Sequence, residues 1–263
     1  MKKDVLNKMK IAQKLNIKTA EITVLETVDS TNRYLKSVLD ETTPEYTVVI
    51  AENQTAGRGR FARKFHSPEG SGIYMSILLK PQFDIGDSVL LTAAASVAVS
   101  DAIEELSKKE TKIKWVNDVL INSKKVCGIL CEGVINPETS NLDSVILGIG
   151  INVYKPENGF ADEIKAIATH IFDEEKADMR NTLIAKVINN LEKYYKELKN
   201  RTFLEKYRSR SSVIGKKILV LKGEEAVPAK ALEIDHDCRL KVKYHNDSCE
   251  YLSSGEISIK SAF

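Results

Sequence analysis

Four consecutive apolar runs decide the fold of this chain: residues 112–115 (KIKW), 119–122 (VLIN), 126–135 (VCGILCEGVI) and 144–153 (SVILGIGINV). Each run is typical of a strand. Turn-forming residues separate some of them, at 122–124 (NSK) and at 136–138 (NPE). Strands joined by short turns pair with their neighbours, and the intervening helices pack on the sheet that results. The sequence therefore predicts an α+β fold with a mixed or antiparallel sheet and packed helices.

The chain on either side of these runs supplies further elements. The predicted elements upstream are a strand at 21–28, a helix at 33–39, strands at 46–51 and 73–79, and a helix at 88–107. The helix at 88–107 is rich in Ala and Leu and free of charge as far as Asp101, which indicates a buried helix. Downstream, apolar residues at helical spacing predict a helix that extends from Arg180 to Arg208.

The pattern changes after the segment 209–212 (SRSS). Short strands are predicted at 217–221, 226–234, 239–244 and 250–252, with turn residues between them. About fifty residues of strand and turn predict a small closed β-barrel. We therefore expect two domains, residues 1–211 and residues 212–263. No residue between Ser212 and Phe263 stands out by its chemistry.

Composition excludes several classes of protein. The 263 residues include 39 Lys and Arg against 37 Asp and Glu, and the net charge of +2 argues against bulk adhesion to nucleic acid or membrane. The longest apolar stretch, 89–99, is far shorter than the roughly 20 residues that span a bilayer. The polar amino terminus carries no signal sequence, so a cytoplasmic protein is expected. The four cysteines show no metal-binding spacing, which predicts free, buried thiols.

The most informative stretch lies between the second and third predicted strands. Residues 53–68 (NQTAGRGRFARKFHSP), here called the basic loop, hold three arginines and a lysine but no acidic residue. Four of the chain's thirteen glycines fall between Gly57 and Gly72. Glycine lets a backbone approach a ligand closely, and arginine presents forked donors to carboxylate and phosphate. A solvated loop is the usual state of a charge run, but the glycines and two aromatic residues favour a site for an anionic ligand.

A second polar cluster follows the helix at 88–107. Asn117 and Asp118 lie in a tight connection between two predicted strands, from which polar side chains can project. Asn and Asp also favour ordinary turns for local reasons, and the residues alone leave these two interpretations equal. Trp115, the only tryptophan, is interpreted as a core residue.

Together, five segments resemble the biotin–protein ligase family. They are residues 29–32 (DSTN), 54–60 (QTAGRGR), 114–118 (KWVND), 125–130 (KVCGIL) and 148–153 (GIGINV). They occur in the order and at spacings that the family shows, and the helical and carboxyl-terminal segments match in length. The GRGR sequence is highly specific, whereas GIGIN alone is weak.

The resemblance implies a two-step enzyme that uses biotin and ATP as substrates, with Mg²⁺. Biotin is first activated to biotinyl-5′-adenylate. Its acyl group then passes to one lysine of a biotin carboxyl carrier domain of a biotin-dependent carboxylase. The resemblance also implies a catalytic domain like that of class II synthetases, an SH3-like barrel after it, and a homodimer, which is common among relatives.

The resemblance also implies roles for the residues at the matching positions. Those implied for biotin are Ser30, Thr31, Asn32, Gln54, Arg58, Gly59, Arg60, Lys125 and Gly128. Those implied for ATP are Arg60, Arg63, Phe65, Asn117, Lys125 and Asn152. Those implied for catalysis are Arg58, Arg60, Lys125 and Asp118, and no protein ligand to a metal is implied. The chemistry agrees, because a carboxylate and a polyphosphate repel each other until cations neutralise them.

Three features depart from the family pattern. The family usually has tryptophan at the position of Phe65 and proline at that of Val116, so weaker stacking on adenine and a less rigid turn are expected here. Some members carry an amino-terminal DNA-binding domain and repress biotin genes. Only residues 1–20 precede the first predicted strand, and we expect no operator binding.

Two other functions compete with this interpretation. A lipoate–protein ligase is similar in architecture and chemistry, but the GRGR and KWxND sequences favour biotin. A protein that binds single-stranded RNA without catalysis is a second alternative. The near-neutral charge and the two aromatic residues of the basic loop, Phe61 and Phe65, argue against it.

Overall fold

A computed structural model of the chain describes residues 4–81, 88–135, 142–223, 225–253 and 255–259. The first seven strands in these ranges are β1 (Glu21–Val28), β2 (Thr47–Gln54), β3 (Gly72–Leu79), β4 (Lys112–Lys114), β5 (Asp118–Ile121), β6 (Lys124–Ile135) and β7 (Leu142–Asn152). They form one sheet in the order β1-β2-β3-β7-β6-β5-β4. Strands β1 and β2 are parallel, and the other neighbours are antiparallel. The predicted mixed sheet is confirmed. The predicted turn at 136–138 lies outside the described residues.

Five α-helices lie in the described ranges: α1 (Lys8–Lys14), α2 (Thr31–Ser37), α3 (Ser88–Ser107), α4 (Met179–Lys196) and α5 (Leu204–Ser209). Helix α3 has the predicted bounds and is buried along most of its length. The prediction of one helix from Arg180 to Arg208 is wrong. Helix α4 ends at Lys196, and Arg201 adopts a left-handed φ of 53°, which turns the chain before α5 begins.

The two faces of the sheet differ in side-chain size. On β7, Leu147, Ile149 and Ile151 point to the face that packs in the main core with α3 and α4. Successive side chains of a strand point to opposite faces, so Gly148 and Gly150 leave the other face of the same strand clear. The alternation of Gly and Ile therefore builds a packed core on one face, and on the other face it leaves room for the Asn32 and Phe65 side chains and the cavity beside them.

The last strands form a second sheet. Strands β8 (Lys217–Lys222), β9 (Glu225–Ile234), β10 (Leu240–Tyr244), β11 (Cys249–Leu252) and β12 (Glu256–Ile259) pair antiparallel in the order β11-β10-β9-β8-β12. The sequence did not predict β12. The antiparallel sheet agrees with the predicted SH3-like architecture, while closure into a barrel and the domain boundary after residue 211 stay predictions.

The two sheets contact each other directly. The Trp115 side chain is buried, as expected, and its indole N–H donates to the Cys238 carbonyl at 2.9 Å. The Ser212 backbone N–H donates to the Ile113 carbonyl, also at 2.9 Å. These contacts place the second sheet against the β4–β5 edge of the first.

The described cysteines are all free thiols. Cys127 and Cys238 are buried as predicted, and Cys131 is half-buried. The prediction is wrong for Cys249, which is exposed at the edge strand β11. In the ranges that the structure covers, no helix is long and apolar enough to span a bilayer.

Candidate active site

A cavity of about 750 Å³ lies over the open face of the first sheet. Its base is the glycine floor, which we define as Gly128, Gly148 and Gly150, with Gly128 directly opposite Gly150 in the β6–β7 register. A Cβ atom at Gly150 would approach the Phe65 ring to 2.5 Å, and one at Gly148 would overlap the Asn32 side chain. Only glycine permits these contacts, and the volume is in the range of small-molecule sites.

One end of the cavity is lined by uncharged side chains, three of them buried at the start of α2 and one half-buried at the end of β2. We call it the recognition end and define it as Ser30, Thr31, Asn32 and Gln54. The backbone N–H and the hydroxyl of Thr31 donate to Gln54 Oε1 at 2.9 and 3.2 Å. Gln54 Nε2 in turn donates to Ser67 Oγ at 2.9 Å. These bonds fix the side chains in the absence of a ligand.

Two polar residues that the sequence analysis missed support the recognition end from the sheet. The Ser76 hydroxyl lies 2.7 Å from Thr31 Oγ1 and 2.5 Å from Asn32 Oδ1. Glu132 Oε2 accepts a hydrogen bond from Asn32 Nδ2 at 2.7 Å. Strand register places Ser76 opposite Gly148, and Glu132 lies two residues after Leu130, the partner of Gly148. Both Ser76 and Glu132 are polar residues on the same face of the sheet as the glycine floor. Alternation along the strands is therefore the sequence signal that could have identified them.

The basic loop folds back on itself over the cavity. Gly59 N–H donates to the Arg63 carbonyl at 2.7 Å, and Phe65 N–H donates to the Gly57 carbonyl at 2.9 Å. A Cβ atom at Gly57 would come within 2.5 Å of the Phe65 carbonyl oxygen, so this close turn requires glycine. The glycine spacing noted in the sequence thus serves the loop's own backbone contacts.

The arginines of the basic loop reach three other parts of the molecule. Arg58 Nη1 lies 3.5 Å from Glu132 Oε1 on β6. Arg60 donates to Asn117 Oδ1 at 3.0 Å and to the Gly255 carbonyl at 2.9 Å. Arg63 is exposed and also lines the cavity. The loop therefore bridges the first sheet, the β4–β5 connection and the second sheet.

The opposite end of the cavity carries charge. We call it the reaction end and define it as Arg60, Asn117, Asp118 and Lys125. Lys125 Nζ and Asp118 Oδ1 form an ion pair at 2.6 Å, and their side chains are 32% and 21% exposed. The Lys125 ammonium lies above Gly128, where a Cβ atom would approach it to 2.9 Å. An ammonium over a glycine in a cavity is accessible to an anionic ligand.

Amide side chains at this end are fixed by backbone carbonyls. Asn117 Nδ2 donates to the Ile129 carbonyl at 3.0 Å, and Asn152 Nδ2 donates to the Thr169 carbonyl at 3.1 Å.

The carbonyl of Val116 accepts from Tyr207 Oη at 3.1 Å and from Ser96 Oγ at 3.4 Å. These two hydroxyl groups hold the Val116 carbonyl, while the less rigid turn expected there stays a prediction.

Phe65 forms part of the cavity wall. Its ring lies on Gly150 and makes an edge contact with Tyr74, with ring centroids 6.4 Å apart. Burial raises the pKa of Tyr74 to about 12, so its phenol stays neutral. Phe65 thus presents an aromatic surface next to the glycine floor, as its predicted role in stacking requires.

The second sheet also contributes to the cavity, through two residues that the sequence analysis did not single out. Gly255 and Ile257 line it, and the Gly255 carbonyl accepts from Arg60. A backbone carbonyl and an apolar side chain give no chemical signal in a sequence. Their contribution depends on the packing of the two sheets.

Every residue with a predicted role lines this one cavity. They are Ser30, Thr31, Asn32, Gln54, Arg58, Gly59, Arg60, Arg63, Phe65, Asn117, Asp118, Lys125, Gly128 and Asn152. Among the residues that the structure describes, no group of three or more His, Cys, Asp or Glu side chains could hold a metal ion. The cavity therefore combines neutral hydrogen-bonding groups, an aromatic wall and cations, which suits an anionic organic ligand.

Comparison with known proteins agrees with this geometry. Residues 24–152 match the biotin/lipoate A/B protein ligase family. The bifunctional ligase/repressor BirA of Bacillus subtilis is 42% identical over 180 residues, which are 68% of this chain and 54% of that protein. The biotin–[acetyl-CoA-carboxylase] ligase of Mycobacterium tuberculosis is 33% identical over 201 residues, 73% of this chain and 71% of that protein. The chain spans about half the length of the BirA relatives from Bacillus.

A solved structure extends the likeness to most of the fold. The biotin protein ligase from Aquifex aeolicus, in complex with biotin and ATP, superposes with a TM-score of 0.73 at 29% sequence identity. The match covers 92% of this chain and 99% of the Aquifex chain. On its sequence motifs, its fold and these relatives, this chain belongs to the biotin protein ligases of the biotin/lipoate A/B protein ligase family, a family of ligase enzymes.

Proposed function

We propose that this protein is an ATP-dependent biotin–protein ligase. It activates biotin to biotinyl-5′-adenylate and transfers the biotinyl group to a lysine of a biotin carboxyl carrier domain. The observation that carries the proposal is the meeting of Lys125, Arg58 and Arg60 with a neutral hydrogen-bonding pocket in one cavity. An acid with an uncharged polar head and a carboxylate that must approach a polyphosphate fits that arrangement.

At the recognition end, short polar side chains bind the ureido ring of biotin. This ring presents N–H donors on either side of one carbonyl acceptor. The hydroxyls of Ser30 and Thr31 and the amides of Asn32 and Gln54 supply complementary groups. Gly128 lets the ligand lie against the sheet.

At the reaction end, the first chemical step joins two anions. A biotin carboxylate oxygen attacks the α-phosphorus of ATP, a new P–O bond forms, and pyrophosphate leaves with the electrons of the bond that breaks. Lys125, Arg58 and Arg60 neutralise the charge that develops, while Arg63 faces the phosphates. Phe65, Asn117 and Asn152 bind the nucleoside. Arg60 would exchange its present acceptors, Asn117 and Gly255, for phosphate oxygens.

The second step transfers the acyl group. The ε-amine of the acceptor lysine attacks the acyl carbon, a C–N bond forms, and AMP leaves. A free lysine is almost wholly protonated at neutral pH, so a proton must be removed first. Asp118 accepts that proton once Lys125 has moved from it to the α-phosphate.

Magnesium ions enter such sites bound to phosphate oxygens and one or two carboxylates. The described residues of this cavity bring Asp118, whose carboxylate is paired with Lys125, and no preformed cage of carboxylates. We propose that Mg²⁺ would arrive with ATP and would neutralise part of the phosphate charge.

Binding to operator DNA is not part of the proposed function. A net charge of +2 gives little general electrostatic attraction to DNA, so we propose that residues 1–263 do not act as a repressor. Specific retardation of a biotin-operon promoter fragment would contradict this. A cytoplasmic location, a homodimer and the division into residues 1–211 and 212–263 remain proposals of the same kind.

The decisive experiment separates biotin from lipoate and catalysis from simple binding. The purified chain is incubated with ATP and either acid, pyrophosphate release is followed, and a carrier domain is then added and weighed by mass spectrometry. We expect pyrophosphate release with biotin only, and a mass gain of one biotinyl group on one lysine. Release with lipoate alone, or salt-sensitive RNA binding without adenylation, would refute the proposal.

A variant tests the role of Asp118. Asp118→Asn retains the size of the side chain but cannot accept a proton, so adenylate forms while its transfer to the carrier slows about 10²-fold. Single-turnover measurement of each half-reaction checks this expectation. An equal loss in both half-reactions would argue against a role specific to transfer.

A further inference from the structure

One transverse row of residues crosses the first sheet beneath the cavity. Residues directly opposite each other on antiparallel strands present their side chains to the same face. The row, followed across β3, β7, β6, β5 and β4, consists of Tyr74, Gly150, Gly128, Asp118 and Lys114. All five residues line the cavity. The glycine floor thus continues into a carboxylate and then into a lysine to which the sequence analysis assigned no role.

Lys114 differs from Lys125 in the surroundings of its ammonium group. Lys125 Nζ lies 2.6 Å from Asp118 Oδ1. In the part of the chain that the structure describes, neither a hydrogen bond nor an ion pair engages the Lys114 ammonium. Its side chain is half-buried, and the strand register places its Cβ atom about 5 Å from that of Asp118. One carboxylate therefore has two lysines within reach and is paired with one of them.

The burial of Asp118 makes this second lysine important. The Asp118 side chain is 21% exposed, so departure of Lys125 would leave a largely buried charge without a partner. An unpaired charge in such a position is strongly unfavourable. A ligand phosphate that attracts Lys125 away from Asp118 meets this cost unless another cation takes its place. A lysine suits that purpose, because its ammonium is carried on a flexible four-carbon stem.

We propose that Lys114 is a positioning residue that replaces Lys125 as the partner of Asp118 when a ligand phosphate binds Lys125. The exchange forms and breaks no covalent bond. It keeps the Asp118 carboxylate paired and in place, ready for the proton of the acceptor lysine. The identity of the ligand rests on the proposed function, whereas the exchange of partners can be tested without a ligand.

A double-mutant cycle on the ligand-free protein tests the exchange directly. Lys125→Met reproduces the departure of the Lys125 ammonium from Asp118. Alone, K114M should change the equilibrium constant of unfolding less than twofold, since it removes no contact. In the K125M background, K114M should raise that constant about three- to tenfold, because Lys114 then pairs with Asp118. Chemical denaturation measures both constants, and an equal effect of K114M in the two backgrounds would overturn the proposal.

Two further variants control for the charge of the strand and the size of the side chain. Lys112 lies two residues earlier on β4, is exposed, and pairs with Glu110 at 2.6 Å. K112M should have the same effect with and without K125M. K114R retains the positive charge and should restore the stability of the K125M background to within about twofold. A dependence on background in K112M, or a K114R variant as unstable as K114M, would also contradict the exchange.

Ligand binding supplies the second test. The probe is an unreactive acyl-sulfamoyl analogue of biotinyl-adenylate, which carries a negative charge at the position of the phosphate. We expect K114M to raise the Kd of this analogue about five- to twentyfold, because Lys125 must then leave Asp118 unpaired. In the D118N background no carboxylate needs a partner, so K114M should change the Kd less than twofold.

The outcomes of the binding experiment separate three explanations. An equal loss of affinity in both backgrounds would mean that Lys114 contacts the ligand itself, and it would overturn the exchange. An unchanged Kd in K114M would overturn it as well. If the unmodified protein does not bind the analogue, the proposed function fails, while the denaturation cycle still decides whether Lys114 replaces Lys125.

Discussion

Different interactions hold the side chains in place at the two ends of the cavity. At the recognition end, Thr31, Asn32 and Gln54 are uncharged, largely enclosed, and joined by hydrogen bonds of 2.5–3.2 Å that include Ser76. At the reaction end, Lys125 and Asp118 are charged and partly exposed, and they neutralise each other at 2.6 Å. One end depends on neutral hydrogen bonds, and the other depends on an ion pair.

This difference has a consequence for ligand binding. Neutral side chains that are already fixed lose little freedom when a ligand arrives, which favours specific recognition of a small head group. Ion-paired side chains at the reaction end must exchange partners, because a bound phosphate competes with Asp118 for Lys125. Substitutions at the recognition end should therefore raise KM, and those at the reaction end should lower the rate of the chemical step.

Removal of the Lys125 charge is the most severe test of this contrast. In Lys125→Met the side chain keeps its length but no longer stabilises the anionic transition state. We expect the rate of adenylate formation to fall about 10²–10³-fold, or about 3–4 kcal/mol, with a small change in KM for biotin. Single-turnover pyrophosphate release measures the rate.

The neighbouring lysine provides the control. Lys124 is exposed and begins the same strand, β6, but does not line the cavity. Lys124→Met should adenylate biotin at the unmodified rate. A similar loss in both variants, or a loss below tenfold in Lys125→Met, would show that adenylate formation does not depend specifically on the charge of Lys125.

Removal of the Ser76 hydroxyl tests the recognition end. Ser76 is fully buried, and its hydroxyl contacts both Thr31 and Asn32. In Ser76→Ala the buried Oδ1 of Asn32 loses a donor, at a cost of about 1–2 kcal/mol. We expect KM for biotin to rise about five- to thirtyfold while kcat stays within about twofold.

Another buried serine separates this effect from a general loss of stability. Ser100 lies inside α3, and within the described chain its hydroxyl has no hydrogen-bond partner. Ser100→Ala therefore makes the same chemical change without breaking a contact of the site. A fall in kcat for Ser76→Ala, or an equal rise in KM for Ser100→Ala, would erase the distinction between the two ends.

Much of the site was predictable because its chemistry is local in sequence. The residue types of the GRGR sequence indicate cations and close backbone approach for an anionic ligand. Asn117–Asp118 and the glycines of β7 were identified only through the family resemblance, because their residue types alone also fit an ordinary turn and an ordinary strand. The structure brings these segments to one cavity. The burial of α3 was predictable for a similar reason, because its first thirteen residues carry no charge.

The contacts between distant segments were not predictable in the same way. Ser76 is one small polar residue in an otherwise apolar strand, and its role depends on the register that places it opposite Gly148. Gly255 contributes a backbone carbonyl to Arg60, which no residue type signals. The end of α4 at Lys196 was missed because the apolar spacing continues past it to Leu198.

Substitution of Phe65 tests the role of the aromatic wall between the two ends of the cavity. Its ring lies on Gly150 and next to Tyr74, where it can stack on a nucleobase. Phe65→Ala removes about 0.5–1.5 kcal/mol of aromatic contact, so KM for ATP should rise about two- to tenfold and KM for biotin should not change. Phe61→Ala, in the same loop but 60% exposed, is the control and should have the smaller effect. A larger change for biotin than for ATP would assign Phe65 to the recognition end.

Alkylation of the cysteines tests whether the first sheet stays packed on the face opposite the cavity. We expect this alkylation to have no effect on activity. Burial raises the pKa of Cys131 and of Cys238 to about 12, and burial also raises that of Cys127. A raised pKa leaves almost no thiolate at pH 8, and reactivity should return only as the pH approaches these values. Iodoacetamide at pH 8 should therefore modify exposed Cys249 alone in the folded protein, and all four thiols in urea.

Cys127 precedes Gly128 and points to the opposite face of β6, so its modification without denaturant would mean that the sheet beneath the glycine floor opens. Such opening would remove the rigid base on which the contrast between the two ends depends.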